Sequence, residues 1–193
     1  MNKEKTPREA TLTVTHSAGD LSETITLTQS GASTGGVVGP TDYVENFSTY
    51  TNSSNSNTAV IEEFDGDACK WSGVGATTLY YTNTNNNDGT TGVTLLKPAA
   101  ADTPTYIISE KLQKGVSKLE ITAHSNNTSA SLKVYVVTST EEKLLGEVKT
   151  TAKKTNFTES FAVDVTGEYQ IKVVNDNTVA YINFTGLKWT SAN

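Results

Sequence analysis

The chain has 193 residues, of which 35% are apolar and 19% are charged, and its net charge is −6. This length suits one large domain, or a domain of about 150 residues with a short appendage. The negative charge argues against nucleic-acid binding, which needs a cationic surface to neutralise phosphates, and against binding to an anionic membrane surface. No run of about 18 apolar residues occurs, so the sequence predicts no membrane insertion.

Thr, Ser and Asn make up most of the polar fraction, and this composition favours exposed strands over helices. Thr is β-branched, so it fits a pleated strand and tolerates water on one face. Cys69 is the one cysteine, which excludes an internal disulfide, and with two histidines in the chain a zinc site is not expected. The first five residues lack the apolar core of a signal peptide, so we expect the chain to be a segment of a longer protein.

Two alternating runs open the chain. Thr11 to Thr15 and Glu23 to Gln29 each place apolar residues at every second position, and a polar turn, His16 to Asp20, separates them. Together they predict a β-hairpin with too little apolar surface to be stable alone. Residues 33–41 are rich in Gly and predict a flexible linker, which sets the domain boundary.

Short strands then follow at near-regular spacing, separated by Gly- and Asn-rich turns such as Asn83 to Gly89. The predicted strands are Tyr43 to Ser48, Ala59 to Phe64, Cys69 to Ser72, Thr78 to Thr82, Thr91 to Lys97, Thr105 to Ser109, Lys118 to His124, Ser131 to Thr138, Lys143 to Lys149, Thr158 to Asp164, Glu168 to Asn175 and Val179 to Trp189. This pattern is typical of an antiparallel sandwich or jelly roll with very little helix.

Alternation also assigns the core face of each long strand. The residues predicted to face inward are Leu119, Ile121, Ala123, Leu132, Val134, Val136, Phe161, Val163, Val165, Tyr169, Ile171, Val173, Ile182 and Phe184. In the last strand a bulge at Gly186 is expected to return Leu187 and Trp189 to the core face.

Catalytic chemistry finds little support in the sequence. Nucleophilic catalysis needs a nucleophile, a base and an orienting group held together, and no G-x-S-x-G elbow occurs. His16 lies in a predicted turn, and His124 closes a strand before an Asn-rich turn, so we interpret both as surface polar residues. Neighbouring acids such as Glu62 and Glu63 point to opposite faces of a strand, which argues against a glycosidase pair. We predict that the chain is not an enzyme.

Asp65 and Asp67 flank Gly66 and form the one candidate metal site. A Gly turn could converge both carboxylates on a hard cation, and calcium takes six to eight oxygen ligands. The loop lacks the continuation of an EF-hand. The alternative is a solvated turn without a metal.

Aromatic side chains beside polar loops provide the main candidate ligand site. A sugar ring stacks its apolar C–H face on Trp or Tyr, while amides and hydroxyls hydrogen-bond its hydroxyl groups. Trp71 lies in a short strand between two loops, and Tyr80 and Tyr81 precede a polar tract that includes Asn85 and Asn86. The alternative is that Trp71 and one of the tyrosines belong to the core and that the Asn tract is a solvated loop.

Tyr135 is a second candidate for ligand binding. Alternation places it on the outward face of its strand, together with Lys133. Trp189, in contrast, is expected in the core.

Two segments resemble known families. Arg8 to Thr15 followed by Thr24 to Ala32 resembles the closing strands of the BACON domain, which end in an R-x-A-T-(I/L)-T-V-T … T-I-T-(L/V)-T-Q-x-G-A pattern. The resemblance covers residues 8–32, about a third of such a domain. It implies a multidomain surface or secreted protein of gut-type Bacteroidetes, in which such modules accompany polysaccharide-degrading or adhesive domains and bind carbohydrate or mucin, or act as spacers.

The remainder, from Tyr43 to Thr190, is similar to the jelly-roll modules of the same surface proteins, which begin near E-x-F and end near I-D-(D/N)-(I/L)-x-(W/V)-T. Asn183 stands where carbohydrate-binding jelly rolls often have an Asp that helps to hold a structural calcium ion. The resemblance implies an extracellular or cell-surface location and other domains of a longer parent protein as partners.

These observations predict an all-β chain with a partial BACON-like segment (1–32), a linker (33–41) and a jelly-roll-like antiparallel β-sandwich (42–193). The predicted function is that of a non-catalytic carbohydrate-binding or carbohydrate-associated module whose partner is a polysaccharide or other glycan. The alternative is a structural, adhesin-like spacer with no small ligand.

Overall fold

The computed structural model describes residues 8–15, 22–29, 40–78 and 92–192, the first two ranges by their backbone alone. The chain divides into two compact units, Met1–Gly39 and Pro40–Asn193. In the first unit, strands β1 (Arg8–Thr15) and β2 (Ser22–Gln29) pair antiparallel, with Leu12 opposite Ile25. The predicted hairpin is therefore confirmed.

The second unit contains the other twelve strands of the described chain. They are β3 (Asp42–Glu45), β4 (Val60–Asp65), β5 (Lys70–Val74), β6 (Ala76–Thr78), β7 (Val93–Leu95), β8 (Thr105–Ser109), β9 (Val116–Ser125), β10 (Ala130–Val137), β11 (Glu142–Thr150), β12 (Phe157–Val165), β13 (Gln170–Asn175) and β14 (Ile182–Thr190). No helix forms among the described residues, so none there could cross a membrane.

The strands of the second unit form two antiparallel sheets. The first sheet has the order β11-β10-β13-β8-β5-β4, and the second has the order β12-β9-β14-β7-β6, with β3 paired to β14. The two sheets enclose one apolar core. The all-β sandwich predicted from the strand pattern is confirmed.

Core faces follow the predicted alternation because each long strand turns every second side chain inward. Leu119 and Ile121 of β9, Val134 of β10 and Ile171 of β13 are all fully buried. The pairing of β14 with β9 shifts its register between Phe184 and Gly186. This bulge lets Leu187 and Trp189 rejoin the core, with exposed fractions of 0% and 2%.

Some strand limits differ from the sequence prediction. Strand β3 ends at Glu45, before the predicted limit of Ser48, because Phe47 takes a left-handed backbone conformation with φ of 55°. The predicted strand from Thr78 to Thr82 lies outside the described residues after Thr78, and β6 occupies Ala76–Thr78 instead.

The interpretation of His124 as a surface residue is wrong. His124 faces away from the core side of β9, as alternation predicts, yet its exposed fraction is 1%. Its Nε2 atom lies 3.0 Å from the Asn183 amide nitrogen, and Asn183 also accepts a hydrogen bond from the Thr94 hydroxyl. A polar row of this kind tolerates burial because its members hydrogen-bond to one another, and alternation alone cannot detect it.

Candidate functional site

The outward face of the first sheet carries an unusual number of aromatic and aliphatic side chains. An antiparallel sheet with one face in water normally alternates apolar-in and polar-out. Here several outward positions are apolar and partly exposed. We call these the tyrosine face, which comprises Val74, Tyr106, Ile108, Tyr135 and Val137 together with Lys133 and Lys172.

Strand register aligns these side chains in rows that cross the sheet. One row contains, from β11 to β5, Leu144, Tyr135, Lys172, Ile108 and Ser72. The next row contains, from β11 to β4, Glu147, Lys133, Val174, Tyr106, Val74 and Val60. With strands about 4.8 Å apart, the first row, which crosses five strands, spans about 19 Å, and the second, which crosses six, spans about 24 Å. Val60 and Leu144, at opposite ends, have exposed fractions of 76% and 46%.

Lys172 lies between the two tyrosines. Its Nζ atom is 5.1 Å from the centroid of the Tyr106 ring and 6.0 Å from that of Tyr135, distances at which an ammonium group is attracted to the ring faces. The same nitrogen donates to both carboxylate oxygens of Glu142, at 2.9 and 3.0 Å. The tyrosines therefore flank a fixed, paired charge.

Other charges on the outward side of this sheet are also paired. Lys133 donates to Asp176, and this hydrogen bond raises the pKa of Lys133 above its ordinary value. Lys70 forms an ion pair with Glu63 near the opposite edge. The result is a face with hydrogen-bonding groups of both kinds and balanced local charge.

Outward positions of the second sheet are different in kind. On β9, β12 and β14 most of them are charged or hydroxyl-bearing, namely Lys118, Glu120, Thr122, Thr158, Ser160 and Lys188, and the apolar ones on this sheet, Ala162 and Val44, are isolated. Core packing does not explain this difference between the two outward faces, because the residues of neither face belong to the core. A contiguous apolar surface that is partly exposed is a feature of interaction and ligand-binding surfaces.

The structure corrects the predicted role of Trp71. Its exposed fraction is 1%, it packs against Phe47 at a centroid distance of 5.3 Å, and its Nε1 atom donates to Glu45. A ring enclosed on all sides offers no face for stacking, so the alternative interpretation of Trp71 as a core residue is the one that the structure supports. Trp189 is also buried, as predicted.

Of the other predicted ligand-binding residues, the structure describes one, Tyr135. Tyr80, Tyr81, Asn85 and Asn86 lie outside the described residues, so their assignment stays a prediction. Tyr135 is half-buried on the outward side of β10 and belongs to the tyrosine face.

Sequence reasoning missed Tyr106 and Lys172. The available signal was the run Tyr106-Ile107-Ile108 in β8, which is apolar on both sides of its strand and therefore does not alternate.

A buried carboxylate is the centre of the loop where a metal was predicted. Glu45 has an exposed fraction of 0%. Its Oε1 atom accepts from the backbone N–H groups of Phe47 at 2.8 Å and Asp67 at 2.9 Å. Its Oε2 atom accepts from the N–H of Ala68 at 3.1 Å and from Trp71 Nε1 at 3.0 Å. Four N–H donors thus surround the charge and replace the water that it loses on burial.

Gly66 leaves the space that this carboxylate occupies. A Cβ atom at residue 66 would lie 2.2 Å from Glu45 Oε2 and 2.7 Å from the Cys69 carbonyl oxygen, so a side chain there would displace the carboxylate or the backbone. Gly66, between the two predicted metal ligands, therefore makes room for the Glu45 carboxylate.

Asp65 and Asp67 do not fit a cation site. Asp67 accepts hydrogen bonds from the Ser48 hydroxyl and from the backbone N–H groups of Asn46 and Ser48. The Ser48 hydroxyl contributes most, and together these bonds lower the pKa of Asp67. A carboxylate that faces N–H donors is already satisfied and has no partner carboxylate to share a metal with. Within residues 40–78 and 92–192, no three His, Cys, Asp or Glu side chains meet in a way that could hold a metal.

The loop of Asp65 and Asp67 is therefore not expected to bind calcium: the change in melting temperature on adding millimolar calcium should be the same, to within about 1 °C, in the parent chain and in an Asp67→Asn variant. A cation stabilises a fold by mass action only if it binds the folded state. Differential scanning calorimetry measures the effect. An increase of several degrees that disappears in an Asp67→Asn variant would contradict this expectation.

Comparisons with known proteins identify the fold. No protein-family model matches the chain, and no curated protein is similar to it in sequence. Among solved structures, the K2 cleaved adhesin domain of Lys-gingipain matches with a TM-score of 0.51 and 15% identity, over 77% of this chain and 99% of that one. A family 29 carbohydrate-binding module, CBM29-2 complexed with cellulohexaose, matches with a TM-score of 0.51 and 13% identity, over 80% of this chain and 94% of that one.

These likenesses show a shared β-sandwich of the jelly-roll type. The second unit thus has the architecture found in carbohydrate-binding modules and in an adhesin domain. A family 36 module in complex with calcium and xylotriose matches with a lower TM-score of 0.45 and 17% identity, over 67% of this chain and 99% of that one, so its calcium site is not a guide to this chain.

Proposed function

We propose that the Pro40–Asn193 unit is a non-catalytic carbohydrate-binding module that binds an extended glycan across the tyrosine face. The observation that carries this proposal is the pair of partly exposed tyrosines, Tyr106 and Tyr135, on the outward face of the first sheet. The outward face of the second sheet is mainly polar. The fold shared with a cellulohexaose-binding module supports the same class of ligand.

The chemistry of the face suits a sugar. A pyranose ring has an apolar C–H side that packs on a tyrosine ring and a rim of hydroxyl groups that both donate and accept hydrogen bonds. Lys133 and Lys172 can donate to such hydroxyls, and Glu142 and Asp176 can accept from them. The row from Leu144 to Ser72 runs across the strands, so an extended chain could contact several of these groups at once.

The paired charges favour an uncharged glycan. Each lysine of the face already has a carboxylate partner, so an anionic ligand would have to displace Glu142 or Asp176. Binding of a neutral oligosaccharide should therefore depend little on salt, because no net charge is neutralised.

Replacing both tyrosines tests the proposal. A Tyr106→Ala, Tyr135→Ala double variant should bind at least about tenfold more weakly to whichever cello-, xylo- or galacto-oligosaccharide the parent chain binds, since tenfold corresponds to about 1.4 kcal/mol. A Tyr106→Phe, Tyr135→Phe variant keeps the ring faces and should bind within about threefold of the parent, because stacking uses the ring and not the hydroxyl. Isothermal titration calorimetry gives both affinities.

A Thr122→Ala, Thr158→Ala variant, altered on the outward side of the second sheet, is the matched control and should bind like the parent. Failure of the parent to bind any of these oligosaccharides, or full binding by the Ala double variant, would refute the proposal. A separate Tyr81→Ala variant tests whether the predicted Asn-rich loop contributes as well.

An adhesin-like spacer is the second candidate function, and the burial of both tryptophans favours it. Such a domain would display other parts of a longer extracellular or cell-surface protein, as the BACON resemblance of residues 8–32 implies, and would bind no oligosaccharide. The calorimetric titration separates the two candidates.

A further inference from the structure

The two tyrosines of the tyrosine face lie on strands that are not neighbours. In the strand order β10-β13-β8, β13 separates Tyr135 from Tyr106. Two strand intervals amount to about 9.6 Å across the sheet. Lys172 of β13 is aligned with Tyr135 on one side and with Ile108 on the other, and Tyr106 lies two residues before Ile108. The line from one tyrosine to the other is therefore diagonal to the strands and passes over Lys172.

Lys172 also sets an upper limit on the separation of the two rings. Its Nζ atom lies 5.1 Å from the Tyr106 centroid and 6.0 Å from the Tyr135 centroid, so the centroids are at most 11.1 Å apart, the sum of the two distances. Together with the strand spacing, this limit indicates a separation of about 10 Å between the ring centres. Both rings are partly exposed, so one ligand can contact the two of them.

This separation does not suit two directly linked sugars. In a 1,4-linked pyranose chain one glycosidic oxygen joins adjacent rings, and their centres are about half as far apart as these tyrosines. The spacing instead matches the first and third of three consecutive rings. The middle ring then lies over Lys172 and Glu142, whose ammonium and carboxylate groups can hydrogen-bond to its hydroxyls.

Contact with both tyrosines also restricts the linkage between the sugars. In a chain whose bonds at C1 and C4 are both equatorial, each ring is turned by about half a turn from the previous one, so the first and third rings present the same face. An axial bond at either carbon bends the chain into a coil, and the faces of the first and third rings then diverge. Packing of an apolar ring face on each tyrosine therefore requires the straight chain.

We infer that the tyrosine face selects a straight 1,4-linked glycan with equatorial linkages, such as a cello-oligosaccharide, and holds three consecutive sugars, the outer two of which pack on Tyr135 and Tyr106. This inference rests on the proposed function and adds to it the linkage of the glycan and the shortest chain that fills the site. Glucose suits both tyrosines because its hydroxyls are all equatorial, which leaves each ring face apolar. A coiled glycan reaches one tyrosine at a time.

Isothermal titration calorimetry of the full chain with cellobiose, cellotriose, cellotetraose and maltotriose tests the inference. Cellotriose spans both tyrosines and cellobiose reaches one, so cellotriose should bind at least about fivefold more tightly, because the second contact becomes intramolecular. The step from cellotriose to cellotetraose should be smaller. Maltotriose has the same three glucose residues but axial linkages at C1, and it should bind at least about fivefold more weakly than cellotriose.

A Tyr106→Ala variant should bind cellobiose and cellotriose within about twofold of each other, because one tyrosine remains. Tyr106→Phe is the matched control, which keeps the ring and should keep the step between the two ligands. Equal binding of cellotriose and maltotriose by the parent, or a step that survives Tyr106→Ala, would overturn the inference and leave the proposed function intact. Absence of binding to the cello-oligosaccharides would also overturn it. If xylo- and galacto-oligosaccharides fail to bind as well, the proposed function is refuted too.

Discussion

Replacement of Glu45 by Gln should lower the free energy of unfolding by about 2–4 kcal/mol, because a buried N–H donor that loses its acceptor costs about 1–3 kcal/mol. The change is nearly isosteric, so the loss reflects hydrogen bonding. A carboxamide has one acceptor oxygen, and its NH₂ group would face either the N–H donors of Phe47 and Asp67 or those of Ala68 and Trp71. In both orientations two N–H donors, one buried and one partly buried, lose their acceptor.

The consequence extends beyond the hydrogen bonds themselves. Glu45 holds Phe47 in its left-handed backbone conformation, and Phe47 packs against both Trp71 and Phe184 in the core. We expect the loop that contains Asp67 to loosen as well, because Asp67 accepts from the N–H groups of Asn46 and Ser48.

Urea denaturation followed by far-ultraviolet circular dichroism measures this loss. Glu159→Gln, which alters an exposed residue of β12, should change the stability by less than about 0.5 kcal/mol. A loss below about 1 kcal/mol for Glu45→Gln would show that the carboxylate is not the centre of this loop.

Replacement of Asn175 by Leu should destabilise the chain by about 3 kcal/mol, because it removes a polar link between the two sheets. Asn175 ends β13 of the first sheet with an exposed fraction of 0%. Its amide nitrogen lies 3.0 Å from the Ala180 carbonyl and 3.1 and 3.3 Å from the carbonyls of Leu96 and Leu95, at the end of β7 in the second sheet. Its Oδ1 atom also accepts from the N–H of Asn177.

Leucine has a similar volume but supplies no donor, so buried carbonyl groups would lose a partner at a cost of about 1–3 kcal/mol each. Thermal unfolding and urea denaturation should both report the loss. Asn156→Leu, at an exposed loop position, is the control and should have a small effect. Equal stability of the two variants would mean that Asn175 is a simple turn residue.

The sequence by itself predicts the elements of this protein because strand formation is a local property. Alternation of apolar and polar residues, as in Leu132 to Val136, reports which face of a strand is buried, and the structure confirms it. The bulge at Gly186 could be predicted because the alternation of β14 shifts by one residue there. The all-β class and the hairpin of β1 and β2 follow from the same signal.

Side-chain partners between distant strands could not be predicted in the same way. Glu45 and Asp67 are 22 residues apart, and Asn183 and His124 are 59 residues apart, so no local pattern reveals that they meet. Trp71 could not be assigned to core or surface because its strand is too short to show a clear alternation.

The residues of the tyrosine face become neighbours only in the tertiary structure. Tyr106, Tyr135 and Lys172 come from three strands whose order in the sheet, β10-β13-β8, differs from their order along the chain. A sequence determines the pattern along one strand, because that pattern depends on neighbours in the chain. Which strands become adjacent depends on the packing of the whole core, and this packing brings the residues of the candidate site together.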